Sequence, residues 1–473
     1  MSIVWRFTDR PAEDAFLPRG RRRRQAAWLL QTVAAASLAL VAPPTSAAFE
    51  QVINVPPQPA PASVGSDTQL NLGMGGVLAT GFQAGDAGST NIEVNVDGGE
   101  VQALFTAGSG ATVNIRSGEV GSLLYAGVGS VVNVLGGSVN SSLSAGSGSE
   151  INVSGGVVDS FFSAYTGSRV TVSGGVIGDG MEALGDAEIT VHAGQIGANF
   201  LADTGSRVSA LGGAFGSNFQ ATGAASLSIA GGAFSDLTAE SVGDIKLSGG
   251  GFSGAVSLSG ADVAVSGGWF NDAFLLHGEV GGEVRGGDFN AQAAFATTEA
   301  TRIYGGRFDD LVFLAPASEL TLVVKQAAST SGQIDLQPGQ SGVVAERGSV
   351  LSGVLADGSP FSFTLNPTPS LSGPFFSTQA TLRVEVLVPG DYNADGAVDA
   401  ADFTVWRDTL DSTIDLRADA NGNGVVDNAD YATWVTNFGR GATPAAISVP
   451  EPAAAILAAI AGALLAAVRR RQS

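Results

Sequence analysis

The residues best suited to chemistry lie near the end of the chain. In the stretch DYNADGAVDAAD, oxygen-bearing side chains fall at places 1, 3, 5, 9 and 12: Asp391, Asn393, Asp395, Asp399 and Asp402. Gly396 at place 6 permits a sharp turn, and Ala397 at place 7 can offer its backbone carbonyl. Hard oxygens in this order along one loop suit calcium, which takes six to eight of them. The pattern returns downstream in DANGNGVVDNAD: Asp419, Asn421, Asn423, Asp427 and Asp430, with Gly424 at the turn and Val425 at place 7. One such loop could be a solvated acidic turn. Two in register point to two calcium sites.

Each loop needs an element to hold it. Phe403, Trp406 and Leu410 are matched by Tyr431, Trp434 and Phe438, at offsets of three and seven. That spacing is one face of a helix, so each loop is expected to run into a helix. Place 12 carries Asp, where an EF-hand loop carries Glu. Between 390 and 439 there are ten acids and two arginines, or −8. Without metal such a module should repel itself, because metal binding supplies folding energy. Paired loop–helix units with Asp at place 12 resemble type I dockerin, over roughly residues 388–439. The resemblance implies a calcium-dependent fold that docks onto cohesin modules in extracellular assemblies. The calcium ligands carry over place by place. The hydroxyl pair that dockerins often present at places 10 and 11 does not, because Ala400, Ala401, Asn428 and Ala429 stand there. A cohesin-like partner is therefore not implied.

Upstream, the chain is a repeat. A Gly-Gly or similar pair follows a Val-x-Val run, as in VNVLGG and VTVSGG, and its second residue falls at 99, 118, 137, 156, 175, 194, 213, 232, 250, 268, 287 and 306. A period of about 19 residues, with apolar and polar side chains alternating, indicates short strands buried on one face and joined by tight turns. Two places after the marker come Val101, Val120, Val139, Val158, Ile177 and Ile196, then Phe215, Phe234, Phe252, Phe270, Phe289 and Phe308. Stacked coils would turn these phenylalanines into an internal ladder, and a dozen coils at ~4.8 Å would span roughly 55–60 Å. The expected fold is an all-β solenoid, a parallel β-helix of right-handed sense, over residues 49–310. A coarser coil with an insertion begins near Gly76. A β-rich cap or small β domain is expected over 311–388, then the α-helical paired-loop module over 389–440 and a linker over 441–448. A flatter β-roll is the other solenoid, but its aspartate-bearing nonapeptides are absent.

β-Helices can be polysaccharide lyases or hydrolases, which need clustered carboxylates on one face. The best candidates, Asp179, Asp236, Asp272 and Asp310, share one place in the repeat but belong to scattered coils. They read as turn residues, and His192 and His277 as surface histidines. No Ser-His-Asp set or phosphate loop can be assembled. The absence of cysteine excludes disulfides and thiolate chemistry.

The ends of the chain read as addresses. RGRRRR (19–24), an apolar run over 26–42 and the small residues Ser46 and Ala48 form a secretory signal peptide over 1–48. Its removal leaves 16 basic and 41 acidic residues, or −25. That charge argues against nucleic acid as a partner. At the other end, Pro450, Glu451 and Pro452 precede the apolar stretch Ala453–Val468, and then Arg469, Arg470 and Arg471. The stretch is short for a spanning helix, and its basic tail would stay cytoplasmic. Residues 449–473 resemble the PEP-CTERM sorting signal, which implies transient membrane anchoring, cleavage by an exosortase-type protease and delivery to the cell surface or matrix. The signal peptide, sorting tail and dockerin-like module together resemble surface proteins of planctomycete-type bacteria. The expected function is a non-enzymatic structural or adhesive protein, with extracellular polysaccharide as a partner. The alternative is a dockerin-tethered polysaccharide lyase or glycoside hydrolase.

Overall fold

The computed structural model describes residues 48–441 apart from 310, 311, 332, 333 and 370–372. The chain forms an all-β parallel solenoid of about 14 turns with few helices. From Val131 to Phe234 each coil contributes three short strands, which merge into longer ones in the coils before and after, and identical places in successive coils pair in parallel. Along one column Val113, Val132, Ile151, Val170, Ile189, Val208 and Leu227 pair in turn, one coil apart and all buried. A second column runs from Val139 through Ile196 into Phe215, Phe234, Phe252, Phe270, Phe289 and Phe308. Those six rings stack face to face with centroids 4.5–5.1 Å apart. The third column is alanine from Ala126 to Ala221. Its small side chains leave room for Phe162, Phe200 and Phe219, which are fully enclosed.

Two local devices make the turns. The marker glycine has a left-handed backbone and touches the coil below. At Gly118 φ is +93, and an added Cβ would lie 2.2 Å from the carbonyl oxygen of Gly99. A second corner is left-handed without glycine: Leu104, Leu123, Ser142, Phe161, Asn199 and Asn218 have φ between +59 and +69. A left-handed non-glycine residue is strained by about 1 kcal/mol or more. Here the amide at that corner donates to the next coil, as from Leu104 to the Ser122 carbonyl at 2.9 Å and from Phe161 to that of Asp179 at 2.8 Å. On the outer surface, Asn71, Asn95, Asn114, Asn133 and Asn152 form an amide ladder. Each Nδ2 donates to the preceding Oδ1 at 2.8–3.1 Å.

The step from Leu70 to Val94 is longer than the steps on either side of it, Ile53 to Leu70 and Val94 to Val113, and holds the expected insertion. The other end differs from the periodic reading. The parallel ladder continues past residue 310, through Val312–Leu314 and Glu319–Ser329. The next rung, Thr381–Val386, pairs Leu382 with Leu320, a step several coils long in sequence. The intervening chain forms an antiparallel hairpin, Val350–Leu355 with Pro360–Thr364, laid on Glu319–Ser329. It also sends Ser341–Val343 onto the far edge of Thr381–Val386. These strands extend the solenoid's own sheet and do not form a separate sandwich.

After the last rung come two helices, α1 (Ala400–Thr409) and α2 (Asn428–Asn437). Each is capped by the aspartate before it, Asp399 or Asp427. The cap is closed reciprocally by Asp402 or Asp430 at the third helical position. The halves interlock symmetrically. Trp406 donates its indole N–H to the Asp427 carbonyl, and Trp434 donates to the Asp399 carbonyl, both at 2.8 Å. Phe403, Trp406, Tyr431 and Trp434 pack together between the helices.

Candidate functional site

The two acidic loops fold alike and share most of their hydrogen bonds. In the first, the Asp391 carboxylate accepts from the amides of Asp395 and Gly396 at 3.2 and 3.0 Å. In the second, Asp419 accepts from Asn423 and Gly424 at 3.2 and 2.8 Å. The Asn393 and Asn421 side chains accept from the amides of Asp395 and Asn423 at 3.0 and 2.9 Å. Asp395 and Asn423 do the same with Ala397 and Val425 at 2.9 Å. Gly396 and Gly424 make the sharp turn with φ of +92 and +83. Asp402 accepts from Tyr392, Asn393 and Asp399, and Asp430 from Ala420, Asn421 and Asp427. Asp399 and Asp427 accept from Ala401 and Ala429 at 2.7 Å.

Four of these carboxylates, Asp391, Asp402, Asp419 and Asp430, are buried, and the ion pairs among the described residues include none of them. Amides satisfy their lone pairs, but among the described residues none makes an ion pair and only Lys325 attracts Asp419 and Asp430 through space; a buried charge without a close partner is costly. Burial, and then the neighbouring Asp402, pushes Asp391 up to about 7. Burial also raises Asp402. The phenol of Tyr392 is pushed up by burial and then by Asp430, whose carbonyl it hydrogen-bonds at 2.6 Å. In type and order these donors fit a hard divalent cation. Among the described residues, however, no three Asp, Glu, His or Cys side chains converge into a ready metal cage. The reason is visible in Asp402 and Asp430, whose oxygens face backbone amides. Ala400, Ala401, Asn428 and Ala429 open the helices, as their places in the sequence require.

The solenoid grips this helix pair through residues that carry no motif. Lys325, on strand Glu319–Ser329, donates to the carbonyls of Leu416 and Asp419 at 2.7 and 2.6 Å, at the mouth of the second loop. Burial pulls its pKa down, while Asp419 pulls the other way. Arg285 lies 4.0 Å over the Tyr304 ring and reaches the Asn393 carbonyl at 3.4 Å. Asp357, in the hairpin turn, accepts from the Gly306 amide at 2.9 Å and from Ser359, and burial raises its pKa. The sequence offers one signal for Lys325. It is one of two lysines in the chain and follows a buried run, Leu320–Val324.

The candidate acids of the solenoid brace turns. Asp179 accepts from the Ala198 amide of the next coil at 2.8 Å. Asp236 accepts from Asn218, and Asp272 from Ala273 at 2.7 Å. Asp310 lies outside the described residues. His277 contacts Ser257 Oγ at 3.1 Å, and His192 is exposed. The signal peptide through residue 47 and the sorting segment with Pro450, Glu451, Pro452, Arg469, Arg470 and Arg471 also lie outside the described residues. No helix among the described residues is long and apolar enough to cross a membrane. Comparison with protein families, with curated proteins and with solved structures gives no match to this chain.

Proposed function

We propose that this is an exported cell-surface protein with a structural and adhesive role and no catalysis. In this reading a right-handed solenoid is closed at its C-terminal end by a β-rich cap and a dockerin-like module that holds two calcium ions. Asp391, Asn393, Asp395, Ala397, Asp399 and Asp402 hold the first ion. Asp419, Asn421, Asn423, Val425, Asp427 and Asp430 hold the second. One observation carries the calcium part: two loops with matching hydrogen bonds bury four carboxylates that make no ion pair among the described residues. Calcium would supply the missing positive charge and so stabilise the fold. Strand Ser341–Val343, lying on the outer edge of the last parallel strand, is what a solenoid cap requires. An exosortase-type protease acts at Pro450–Pro452, after transient anchoring by the segment that Arg469–Arg471 closes.

Calorimetric titration with calcium tests the module. Two ions per chain are expected, and one after Asp391→Ala or Asp419→Ala. No heat, or an unchanged stoichiometry in both variants, refutes it. Incubation with polysaccharides tests the absence of catalysis. Retention without new chain ends is expected. New reducing or unsaturated ends that vanish with Asp272→Asn would establish the tethered lyase or hydrolase instead.

A further inference from the structure

Between the last coils, the hairpin turn and the helix pair lies a cleft of about 890 Å³. That is the size of an ordinary small-molecule site. Gly286, Gly287 and Gly306 line the cleft with backbone. One wall is the hairpin turn that contains Asp357, and another is Tyr392–Ala394 with Ile414–Arg417 from the helix pair. Three arginines line it, Arg285, Arg307 and Arg417, and three aspartates, Asp288, Asp357 and Asp415. The charges cancel, although the exported chain carries −25 overall.

The guanidinium groups are pre-positioned and not exhausted. Arg417 spends Nε–H and one Nη2–H on Asp415 at 2.9 and 2.7 Å, and Arg307 uses the same two nitrogens on Asp309. An arginine has five N–H donors, so each keeps three. Fixed donors beside fixed acceptors suit groups that both donate and accept, as vicinal hydroxyls do. A polyanion gains no net attraction here and meets the acidic helix pair. A polycation meets three guanidinium groups.

A separate observation selects the same class. Trp269, Asp288 and Arg307 are successive partners in one strand column, about 4.8 Å apart. The indole is 59% exposed, while Gly251, Ala233 and Ala214 hold the same place in the three preceding coils. A flat, exposed aromatic ring leading to an aspartate and an arginine offers an apolar platform beside hydrogen-bonding groups. A pyranose ring, with C–H faces and hydroxyl edges, matches that arrangement.

We infer that this cleft, extended over Trp269, binds a neutral oligosaccharide. The inference deepens the adhesive reading above and rests on it. One wall belongs to the helix pair, so the site is complete only while that pair is folded and seated. Binding therefore depends on calcium even though no metal need touch the sugar.

The test uses the purified chain in calcium, titrated calorimetrically with neutral cello-, manno- and xylohexaose, with hexagalacturonate and with a chitosan hexamer. At least one neutral hexasaccharide should bind, at least 10-fold tighter than either charged one. Its affinity should change little between low and high salt. Trp269→Ala and Arg307→Ala should each weaken it at least 10-fold while leaving calcium stoichiometry at two, and chelation should abolish it. If no neutral sugar binds, if hexagalacturonate binds best, or if Trp269→Ala is without effect, the inference is overturned. Calcium uptake without sugar binding removes this inference alone. Sugar binding that survives chelation refutes the dependence on the seated helix pair.

Discussion

In the metal-free protein the buried carboxylate of Asp391 should make the helix pair lose stability as pH rises. Its pKa in the fold is pushed from 3.8 to about 7, first by burial and then by Asp402. A raised carboxylate pKa means that the folded state holds the proton more tightly than the unfolded chain. The stabilisation is complete below about pH 4 and disappears as pH climbs to about 7. A rise of about three, at about 1.36 kcal/mol for each, gives about 4 kcal/mol, and allowing for water at the loop mouth leaves about 2 kcal/mol. On the proposed assignment calcium should reverse the sign, because a bound cation favours the deprotonated carboxylates. The assay is thermal unfolding followed by tryptophan fluorescence in the chain without residues 1–48 and with Trp269→Phe, so that Trp406 and Trp434 alone report on the module. In chelator the transition should fall between pH 5 and pH 7.5. In calcium it should rise over the same range. Asp391→Asn should flatten the slope in chelator and weaken calcium binding. A flat or rising transition in chelator would show that Asp391 is not a buried, unpaired acid, and indifference to calcium at pH 7.5 would refute the metal assignment.

Lys325→Met should unseat the helix pair, because two part-buried hydrogen bonds from its ammonium to the Leu416 and Asp419 carbonyls are lost. At about 2 kcal/mol net the open population rises about 30-fold, readable as faster tryptic cleavage at Arg407 and Arg417. Phe252→Ala removes a ring stacked on both sides at 5.1 Å and should cost about 3–5 kcal/mol. Hydrogen exchange should show the loss centred on the neighbouring coils, as expected for nearest-neighbour stacking. Gly118→Ala places a methyl 2.2 Å from the Gly99 carbonyl oxygen at φ +93. It should be more damaging than the exposed change Val128→Ala, and denaturant midpoints should separate the two.

The repeat was legible because each coil faces an almost identical one. A buried valine at one place forces an apolar residue at the same place one coil on, and the phenylalanine ladder is that constraint written six times. The end of the solenoid was illegible for the same reason. Leu382 continues the column of Leu320, but the long excursion between them hides it from any search for a period. The left-handed corner at Leu104, Leu123 and Phe161 leaves no mark in composition, because its hydrogen bonds come from the neighbouring coil. The oxygen order of the acidic loops was plain, since local spacing alone sets it. Lys325 was not, because its partners, Leu416 and Asp419, are far along the chain. Trp269 has no local signal; only strand register reveals the charged column beside it.

The uniform register of the coils has a genetic consequence. Between Val113 and Leu227 every coil offers the same contacts to the coil above and below. Recombination that deletes or duplicates one such block rejoins valine to valine and alanine to alanine. The solenoid is then shorter or longer by one strand spacing, about 4.8 Å, with no core to redesign. The height at which its terminal module stands can thus drift in small, nearly neutral steps.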